Sequence, residues 1–485
     1  MTKLFTPDIC VIGAGSGGLS VAAAAAAFGV PVVLVEKGKM GGDCLNYGCV
    51  PSKALIAAGK QAQAMRSAAK FGIANVEPEI DFKAVMAHVR GVIASIAPTD
   101  SVERFTALGV TVIKAEAKFI ARNRLVAGDT EIRARRFVIA TGSSAFVPPI
   151  PGLEDIAYLT NETVFDLTRR PGHLVIVGGG PIGMELAQAF CRLGSQVTVL
   201  DTGQVLSKDD PELVGIVRDR LRSEGVRICE RTRVTRVEQR GKSGVKVFAE
   251  GPDGEEEIDG SHMLIATGRV PNTEGLDLKK AGVRLAGKSI DASAMLRTTN
   301  RRIYAVGDVI GRQQFTHAAN YHAGLVVRAL LFRLPAKDRG LIPWATYTDP
   351  ELAHVGLTEA QAMKRYRKVR ILRWPLAEND RAQADSRPHQ ARDQPQGRDT
   401  GSQHRRRRRL RNDRQLDVGN DTGPQAPGHH VDRDGLPDDE RNWQTRRNHL
   451  FCSSEPQAAG ERNRALPAPV RLNTPTVDNG NATLA

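Results

Sequence analysis

Cysteine and aromatic residues are scarce in this 485-residue chain, which has six cysteines and 5% aromatic residues. Six cysteines in a chain of this length exclude a small scaffold held together by disulfides, and so few aromatic residues predict a mostly aliphatic core. No run of 18 or more residues is free of charge and glycine, so we predict no membrane span. Residues 8–35 are rich in Gly and Ala but contain no clear processing site. We interpret them as part of the fold and predict a cytoplasmic location.

Lysine is absent from residues 381–485, where the composition changes abruptly. This segment has 18 Arg and 14 Asp plus Glu, a net charge of 18 − 14 = +4, which leaves +10 of the formal +14 for residues 1–380. Only 12 of its 105 residues are Ile, Leu, Val, Met or Phe. So few aliphatic side chains cannot offset the chain entropy that ordering removes. We therefore predict an aberrant, disordered tail.

A glycine turn follows the first apolar run of the chain. Gly13 is placed to make the tight turn, Gly15 to let the backbone approach a pyrophosphate, and Gly18 to let helix and strand pack closely. The N-terminus of the following helix would face the phosphates. Glu36 ends the next strand and can accept hydrogen bonds from ribose hydroxyls. The pattern predicts a dinucleotide site, and its alternative is a glycine-rich turn without a ligand.

The same unit begins again at residue 173. The second turn is followed by a strand that ends at Asp201, and each copy leads later to an Ala-Thr-Gly segment. This duplication predicts an α/β protein with two Rossmann-like, doubly wound domains. The glycines and threonine of these repeated segments are candidate cofactor-binding residues: Gly178, Gly180, Gly183, Thr141, Gly142 and Gly268.

The second acidic strand end bears on the choice of nicotinamide cofactor. An acid such as Asp201 favours a free 2′-hydroxyl, whereas a 2′-phosphate would require a nearby Arg. Residues 202–204 offer none, and Lys208 is the nearest cation. The sequence therefore favours NADH and leaves NADPH open.

Cys44 and Cys49 are the only cysteines that lie close together in the sequence. Two thiols five residues apart can close a small ring if they begin a helix, and a helix N-terminus lowers the pKa of a thiol. The alternatives are a structural disulfide or half of a zinc site, which would need two further ligands. His317 and His322 are five residues apart, a poor helical spacing for one metal. We therefore predict a redox-active pair and no metal site.

The segment GGDCLNYGCVPSK at residues 41–53, with both glycine turns, both Ala-Thr-Gly segments and the strand that ends at Gly307 and Asp308, resembles the flavoprotein disulfide reductases. That family includes dihydrolipoamide dehydrogenase, mercuric reductase and glutathione reductase, and the resemblance covers residues 7 to about 380. It implies bound FAD, with Asp308 holding the ribityl chain of the flavin. It also implies an electron relay from NAD(P)H through the flavin to the disulfide and then to an outer acceptor.

The resemblance also implies a role for each residue around the thiols. Cys49 would be the thiol nearer the flavin and able to form a charge-transfer thiolate, and Cys44 the outer interchange thiol. Lys53 and Glu185 match an ion pair beside the reactive flavin edge. The acceptor would be a small-molecule or protein-bound disulfide or dithiol, or a metal ion. Mercuric reductases carry a further cysteine pair near the C-terminus, whereas here Cys452 stands alone.

The domain organisation follows from the motifs and their breaks. We predict a first part of the FAD-binding domain at 1–150, an NAD(P)H-binding domain at 151–270, a central FAD-binding part at 271–340, the start of an interface domain at 341–380 and the tail at 381–485. The family forms homodimers through its interface domain. Residues 381–485 as written do not resemble the remainder of that domain, so dimerisation and the outer-substrate site are in question.

A shifted reading frame would explain the tail. If the codons for residues 437–452 are read one base later, they permit Pro-Thr-Met-Ser-Glu-Ile-Gly-Lys-Arg-Ala-Ala-Ile-Thr-Tyr-Phe, which resembles the family's interface segment. The hypothesis is a frameshift near residues 383–390, in the gene or in its sequencing. Resequencing the locus would test it.

Two other functions compete with turnover of an acceptor. The chain could be a folded flavoprotein with little acceptor turnover because the interface domain is lost. It could also bind nucleic acid through His404 and the five arginines at 405–409. The tail contains one Trp, one Phe and no Tyr, so stacking on bases has little support. We therefore place nucleic-acid binding last.

Overall fold

Helices and strands follow one another in two similar series, each of which begins with a strand, a glycine turn and a helix. The computed structural model describes residues 3–241, 244–334 and 336–373, with the pairs 410–411 and 416–417. The described residues all belong to one unit. The first series contains β1 (Lys3–Phe5), β2 (Ile9–Ile12), α1 (Ser16–Ala27), β3 (Val32–Glu36), α2 (Gly42–Asn46), α3 (Cys49–Arg66), α4 (Phe82–Ile96), α5 (Val102–Ala107), β4 (Thr111–Lys114), β5 (Ala117–Ala121), β6 (Arg124–Ala127), β7 (Thr130–Ile132), β8 (Arg136–Ile139) and β9 (Ser143–Ala145).

The second series and the residues that follow it complete the described chain. The second series contains β10 (His173–Val177), α6 (Pro181–Arg192), β11 (Gln196–Leu200), α7 (Pro211–Ser223), β12 (Arg227–Cys229), β13 (Arg233–Arg240), β14 (Gly244–Gly251), β15 (Gly254–Gly260), β16 (His262–Ile265) and β17 (Arg269–Pro271). The remainder contains β18 (Leu285–Ala286), β19 (Ser289–Ile290), β20 (Ile303–Ala305), α8 (Thr316–Leu331), β21 (Trp344–Thr346), β22 (Leu352–His354), α9 (Glu359–Arg365), β23 (Arg370–Ile371), β24 (Leu410–Arg411) and β25 (Leu416–Asp417).

The first nucleotide motif is built on a five-stranded sheet with the order β20-β8-β2-β3-β4, and all its strand pairs are parallel. Every residue of β2 is buried, as expected for a strand that is covered on both faces. Helices α1 and α8 pack against each other beside this sheet. Strand β20 lies far along the chain but pairs in parallel with β8. Gly307 and Asp308, which follow β20, therefore lie at the same end of the sheet as the first glycine turn.

The second motif is built on a parallel sheet with the order β12-β11-β10-β16. An antiparallel meander, β13-β14-β15, packs its apolar residues against that sheet. The two parallel sheets confirm the α/β class with two doubly wound units. No helix in the described ranges is long and apolar enough to cross a bilayer.

The residues after 341 form only short elements. Strands β21 and β22 pair antiparallel, β22 pairs in parallel with β24, and β23 pairs antiparallel with β25. Within the segment that was predicted to be disordered, the structure describes only the four residues of β24 and β25, whose backbone groups pair with β22 and β23. The rest of the tail, including the proposed frameshift and the arginines at 405–409, lies outside the described residues.

Candidate active site

The two acidic strand ends have the same surroundings. Glu36 accepts hydrogen bonds from the N–H groups of Ala14 and Gly38, each at 2.6 Å. Asp201 accepts from the corresponding two N–H groups of the second copy, each at 2.7 Å. Each carboxylate therefore ties its glycine turn to the end of the following strand. The duplication that the sequence shows is repeated at the level of side-chain hydrogen bonds.

The glycines of each turn serve two different purposes. A Cβ atom at Gly13 would lie 2.4 Å from Ala140 O, and one at Gly18 would lie 1.9 Å from Gly13 O, so neither position has room for a side chain. A Cβ atom at Gly15 would meet nothing closer than 3.9 Å, and one at Gly180 nothing within 4 Å. The protein itself therefore does not require glycine at these two positions. Bare backbone facing open space fits the close approach of a dinucleotide pyrophosphate.

The carboxyl end of β20 brings a third motif to the first turn. Gly307 adopts a φ of +72°, and Asp308 accepts a hydrogen bond from the Ser143 hydroxyl at 2.6 Å. Burial raises the pKa of the Asp308 carboxyl. The first Ala-Thr-Gly segment lies beside it, and the Thr141 hydroxyl donates to Asn272 O at 2.7 Å. A half-buried carboxylate at this edge suits a polyhydroxylated chain, because it can accept hydrogen bonds from hydroxyl groups.

Arg269 joins three parts of the site, and the sequence analysis missed it. Its guanidinium lies 3.0 Å from Asp43 Oδ1, donates to the Ser143 hydroxyl at 2.8 Å and lies 3.8 Å from Asp308 Oδ2. Asn161 also donates to Asp43 Oδ1, at 3.0 Å. The signal in the sequence was the position of Arg269 directly after the second Ala-Thr-Gly segment. Its partners lie more than 30 residues away, so spacing could not identify them.

The two thiols lie on consecutive helices. Cys44 lies within α2 and is half-buried, whereas Cys49 is the first residue of α3 and is exposed. The Sγ atom of Cys49 is 3.3 Å from Thr316 Oγ1, at the start of α8. A hydrogen bond from Cys44, another from Thr316 and the positive charge of Lys53 lower the pKa of Cys49 to about 6. The hydrogen bond to Cys49 and burial raise the pKa of Cys44.

Lys53 and Glu185 are brought together by the packing of α3 against α6. Their Nζ and Oε2 atoms are 3.1 Å apart, and the Glu185 side chain is only 8% exposed. A Cβ atom at Gly59 would lie 3.2 Å from Ala189 O, so glycine at this position allows the two helices to approach closely. The ion pair that the resemblance implies is therefore formed, although its two residues lie 132 positions apart.

Comparison with known proteins agrees with this arrangement. The sequence model of the family described as "pyridine nucleotide-disulphide oxidoreductase" matches residues 7–323. The chain belongs to this family. The family's dimerisation-domain model matches residues 342–391. The prediction of family membership is confirmed. The family implies FAD and a pyridine nucleotide as cofactors in general, an oxidoreductase activity, and a dimer as its usual assembly.

The chain is similar to individual proteins of two kinds, mercuric reductases and dihydrolipoyl dehydrogenases. The chain is 37% identical over 362 residues to a mercuric reductase of Streptomyces lividans, covering 73% of this chain and 76% of the relative. It is 34% identical over 385 residues to a dihydrolipoyl dehydrogenase of Geobacillus stearothermophilus, covering 78% and 81%. Among solved structures it resembles the Cu(II) complex of the HOCl-induced flavoprotein disulfide reductase RclA from Escherichia coli, with a TM-score of 0.69, 28% identity and coverage of 78% and 84%.

The described part of the segment that the dimerisation model matches, residues 342–373, contacts the Lys53–Glu185 pair. The Tyr347 N–H donates to Glu185 Oε1 at 2.9 Å, and the Lys53 Nζ lies 4.1 Å from the centre of the Tyr347 ring. One turn further along α6, the Gln188 amide bonds both the N–H and the C=O of Asp349, at 2.7 and 2.9 Å. One face of α6 therefore holds the segment against the Lys53–Glu185 pair.

A buried ion pair fastens the same segment at the end of α6. The Arg192 guanidinium, 3% exposed, bonds both carboxylate oxygens of Glu224 at 2.7 Å and Asp349 Oδ2 at 2.9 Å. These charged side chains can be buried together because each charge is paired and hydrogen-bonded. Residues of the second nucleotide motif therefore hold Tyr347 and Asp349 in place. The sequence analysis did not predict these contacts.

An arginine also lies near the second acidic strand end. The Arg231 N–H donates to Gly203 O at 2.8 Å, within the turn that Asp201 caps. Residues 202–204 directly after Asp201 contain no arginine, whereas the backbone of Arg231 contacts this turn from just beyond the neighbouring strand β12. The side chain of Arg231 is exposed.

The two histidines that were weighed as zinc ligands have other neighbours. His317 Nε2 lies 2.5 Å from Pro343 O, and His322 Nδ1 accepts from the Gly307 N–H at 3.3 Å. Among the residues that the structure describes, no three His, Cys, Asp or Glu side chains come together in a group that could hold a metal ion.

Proposed function

We propose that this chain passes electron pairs between NAD(P)H and a disulfide, dithiol or metal-ion acceptor through the Cys44–Cys49 pair. The observation that carries the proposal is the placement of the Cys49 thiol at a helix start, 3.3 Å from Thr316 Oγ1, which shifts the pKa values of the two thiols in opposite directions. Cys49 begins a helix near Lys53 and Thr316, so it holds a thiolate at neutral pH, while Cys44 keeps its proton. A dithiol in this state can return two electrons and one proton when the disulfide re-forms.

The cofactor sites follow the two repeats. FAD, when bound, supplies the two-electron relay between NAD(P)H and the thiols. We propose that it is held by Gly13, Gly15, Gly18, Glu36, Lys53, Thr141, Gly142, Gly307 and Asp308. We propose that the nicotinamide cofactor is held by Gly178, Gly180, Gly183, Asp201 and Gly268. The open space above Gly15 and Gly180 supports both assignments, because it leaves the backbone free for a pyrophosphate.

The protein controls protons at the thiols through a few atoms. The Thr316 hydroxyl and the Lys53 ammonium stabilise negative charge on Cys49. Glu185 holds Lys53 in place and is itself fixed by the Tyr347 N–H. Attack by Cys44 on an outer disulfide requires loss of the Cys44 proton. The raised pKa of Cys44 therefore predicts slow interchange unless another base accepts that proton.

The acceptor is either a disulfide or a soft metal ion. Similarity to dihydrolipoyl dehydrogenases supports the first, and similarity to mercuric reductases and to a flavoprotein disulfide reductase with a Cu(II) complex supports the second. Two adjacent thiols suit both, because thiolates attack disulfides and bind soft metals. NADH is the proposed donor because Asp201 ends its strand, and Arg231 is the residue that would favour NADPH instead. The cytoplasmic location also remains a proposal.

A second candidate is a flavoprotein that accepts electrons but hardly passes them on. The raised pKa of Cys44 favours it, since the proton of that thiol is held in a hydrogen bond to Cys49. It predicts normal reduction of the flavin and little turnover of any acceptor.

One anaerobic assay separates these functions. The purified yellow protein is mixed with NADH or NADPH, and loss of flavin absorbance is followed before lipoamide, an aromatic disulfide, Hg(II) or Cu(II) is added. Turnover that disappears in Cys44→Ser supports the leading proposal and identifies the acceptor. Flavin reduction without turnover selects the second candidate. A protein that is purified without flavin and cannot be loaded with it contradicts both.

A further inference from the structure

Two arginines lie side by side at the amino ends of two strands of the first parallel sheet, whereas the glycine turns lie at the carboxyl ends. Arg136 begins β8, and Arg302 immediately precedes β20. The ladder pairs Phe137 with Ile303, and the Phe137 N–H donates to Arg302 O at 2.9 Å. One step back in this register Arg136 stands opposite Arg302. Neighbouring strands are about 4.8 Å apart, and paired residues point to the same face of the sheet. The Arg136 and Arg302 side chains therefore start next to each other on one face.

Two further arginines complete this basic cluster. Burial and repulsion by Arg135, Arg302 and Arg297 lower the pKa of Arg136. Arg135 pairs with Asp8 at 2.5 Å. Arg136, Arg297 and Arg302 form no ion pair with a carboxylate in the part of the chain that the structure describes. Arg135, Arg297 and Arg302 thus all lie close enough to Arg136 to lower its pKa, and in the described part of the chain only Arg135 of the four has a carboxylate partner.

A buried phenol reaches the same place. Tyr304 is 1% exposed, and its hydroxyl accepts a hydrogen bond from Arg297 Nε at 3.0 Å. Its own hydrogen has no acceptor among the described residues. A buried hydroxyl that can donate, placed beside guanidinium groups that have no carboxylate partner among the described residues, suits an acceptor that carries negative charge.

We propose that the basic cluster of Arg135, Arg136, Arg297 and Arg302, together with Tyr304, binds a small, multiply charged oxyanion of the phosphate type. Guanidinium groups present paired N–H donors that match the oxygens of such an anion, and the Tyr304 hydroxyl supplies a further donor. The cluster lies at the amino ends of β8 and β20, whereas the glycine turns lie at the carboxyl ends of the strands. It is therefore separate from both dinucleotide sites. The buried Tyr304 ring cannot stack on a base, which favours a small anion over a nucleic acid.

The test uses the full chain loaded with FAD and saturated with NAD⁺, so that both dinucleotide sites are filled. Inorganic pyrophosphate is titrated by calorimetry, and its effect on the unfolding temperature is recorded. We expect one pyrophosphate per chain, with binding at least about tenfold weaker in Arg136→Gln and in Arg302→Gln, the loss of about 1.4 kcal/mol that one charge-assisted contact supplies. Tyr304→Phe should weaken binding by a smaller factor. Arg233→Gln, which removes an exposed arginine paired with Glu250, is the matched control and should bind as the unmodified chain does.

Several outcomes would overturn the proposal. One is the absence of binding to the unmodified chain. Another is unchanged binding in Arg302→Gln, which would place the anion elsewhere, for example at the arginines of 405–409. Binding of long DNA that is lost in Arg302→Gln, without binding of pyrophosphate, would show that the cluster recognises a polymer. If Arg136→Gln does not fold, Arg302→Gln and Tyr304→Phe still decide the question, because the Arg302 side chain is exposed and phenylalanine preserves the buried ring.

Discussion

Lys53 Nζ lies 3.1 Å from Glu185 Oε2, across the contact between the helix that begins with Cys49 and the helix of the second nucleotide motif. This ion pair joins the thiol site to the motif proposed for the nicotinamide cofactor. The Tyr347 N–H fixes the other carboxylate oxygen. A single buried carboxylate therefore connects α3, the second nucleotide motif and the described part of the segment matched by the dimerisation model.

The Glu185→Gln variant should slow reduction of the flavin by NADH. Glutamine can still accept from the Tyr347 N–H, but it cannot neutralise Lys53. We expect a decrease of about tenfold, which corresponds to about 1.4 kcal/mol of lost stabilisation in the rate-limiting step. Stopped-flow absorbance of the flavin measures it. The control is Glu250→Gln, at an exposed ion pair with Arg233. An unchanged rate in Glu185→Gln would show that the ion pair has no part in the reaction.

The Thr316→Val variant should raise the pKa of Cys49. The hydroxyl that lies 3.3 Å from Sγ would be replaced by a methyl group of similar size, so the thiolate would lose one hydrogen bond. We expect an increase of about one unit, since a hydrogen bond to a charged group contributes about 1.5 kcal/mol. The pH dependence of iodoacetamide alkylation of the reduced protein measures it. Thr316→Ser keeps the hydroxyl and should titrate as the unmodified chain does. Equal curves for the Val and Ser variants would contradict the prediction.

The reduced protein should become more stable as the pH rises from about 6 to about 9. The pKa of Cys49 is about 6 when folded and 9 for an ordinary thiol, so the unfolded chain binds more protons in this window. The stabilisation is complete above about pH 9 and is lost as the pH falls through about 6. Urea unfolding of the reduced protein at several pH values measures this slope. The slope should be absent in Cys49→Ser, and an equal slope there would assign the effect to other groups.

Much of this site could be predicted from the sequence because its motifs are local. Gly13 and Glu36 lie within about 25 residues of each other, and the two thiols are closer still. At such short separations the spacing determines which atoms can meet. The duplication then predicted two parallel sheets. The ion pair of Lys53 and Glu185 came from the family resemblance, since nothing in their spacing brings them together.

The parts that the sequence did not reveal depend on long-range packing. Thr316 reaches Cys49 only because α8 packs beside α1, and Arg269 meets Asp43 only because the second Ala-Thr-Gly segment returns to the first sheet edge. Arg231 reaches the turn at Asp201 from a neighbouring strand. Single residues of these types occur throughout the chain, so no local pattern distinguishes them. Whether NADH or NADPH is the donor is therefore still a prediction, since only the backbone N–H of Arg231 contacts this turn.

The Asp43→Asn variant should lower the pKa of Cys49. The Asp43 carboxylate lies against the backbone between the thiols, since a Cβ atom at Gly48 would be 2.8 Å from its Oδ2 atom, and its charge opposes ionisation of both thiols. Asparagine can still accept from Arg269 and Asn161, so the loop should keep its shape. We expect a decrease of a few tenths of a unit, because the carboxylate is partly exposed and screened. Iodoacetamide alkylation measures it. The control is Asp129→Asn on a distant turn, and a shift of equal size there would make the effect one of net charge alone.

Replacing two glycines of the second turn by alanine should separate folding from binding. A Cβ atom at Gly183 would lie 2.0 Å from Gly178 O, so Gly183→Ala must displace backbone and should unfold at a markedly lower temperature. A Cβ atom at Gly180 meets nothing within 4 Å, and this residue has a φ of −73°, so Gly180→Ala should fold and bind FAD normally. Its new methyl group would occupy the space proposed for the pyrophosphate of NADH. We expect NADH binding about tenfold weaker or more, measured by titration of protein fluorescence, with an unchanged unfolding temperature. If Gly180→Ala binds NADH as the unmodified chain does, the pyrophosphate does not pass over this turn, and the proposed nicotinamide site is wrong even if the fold is right.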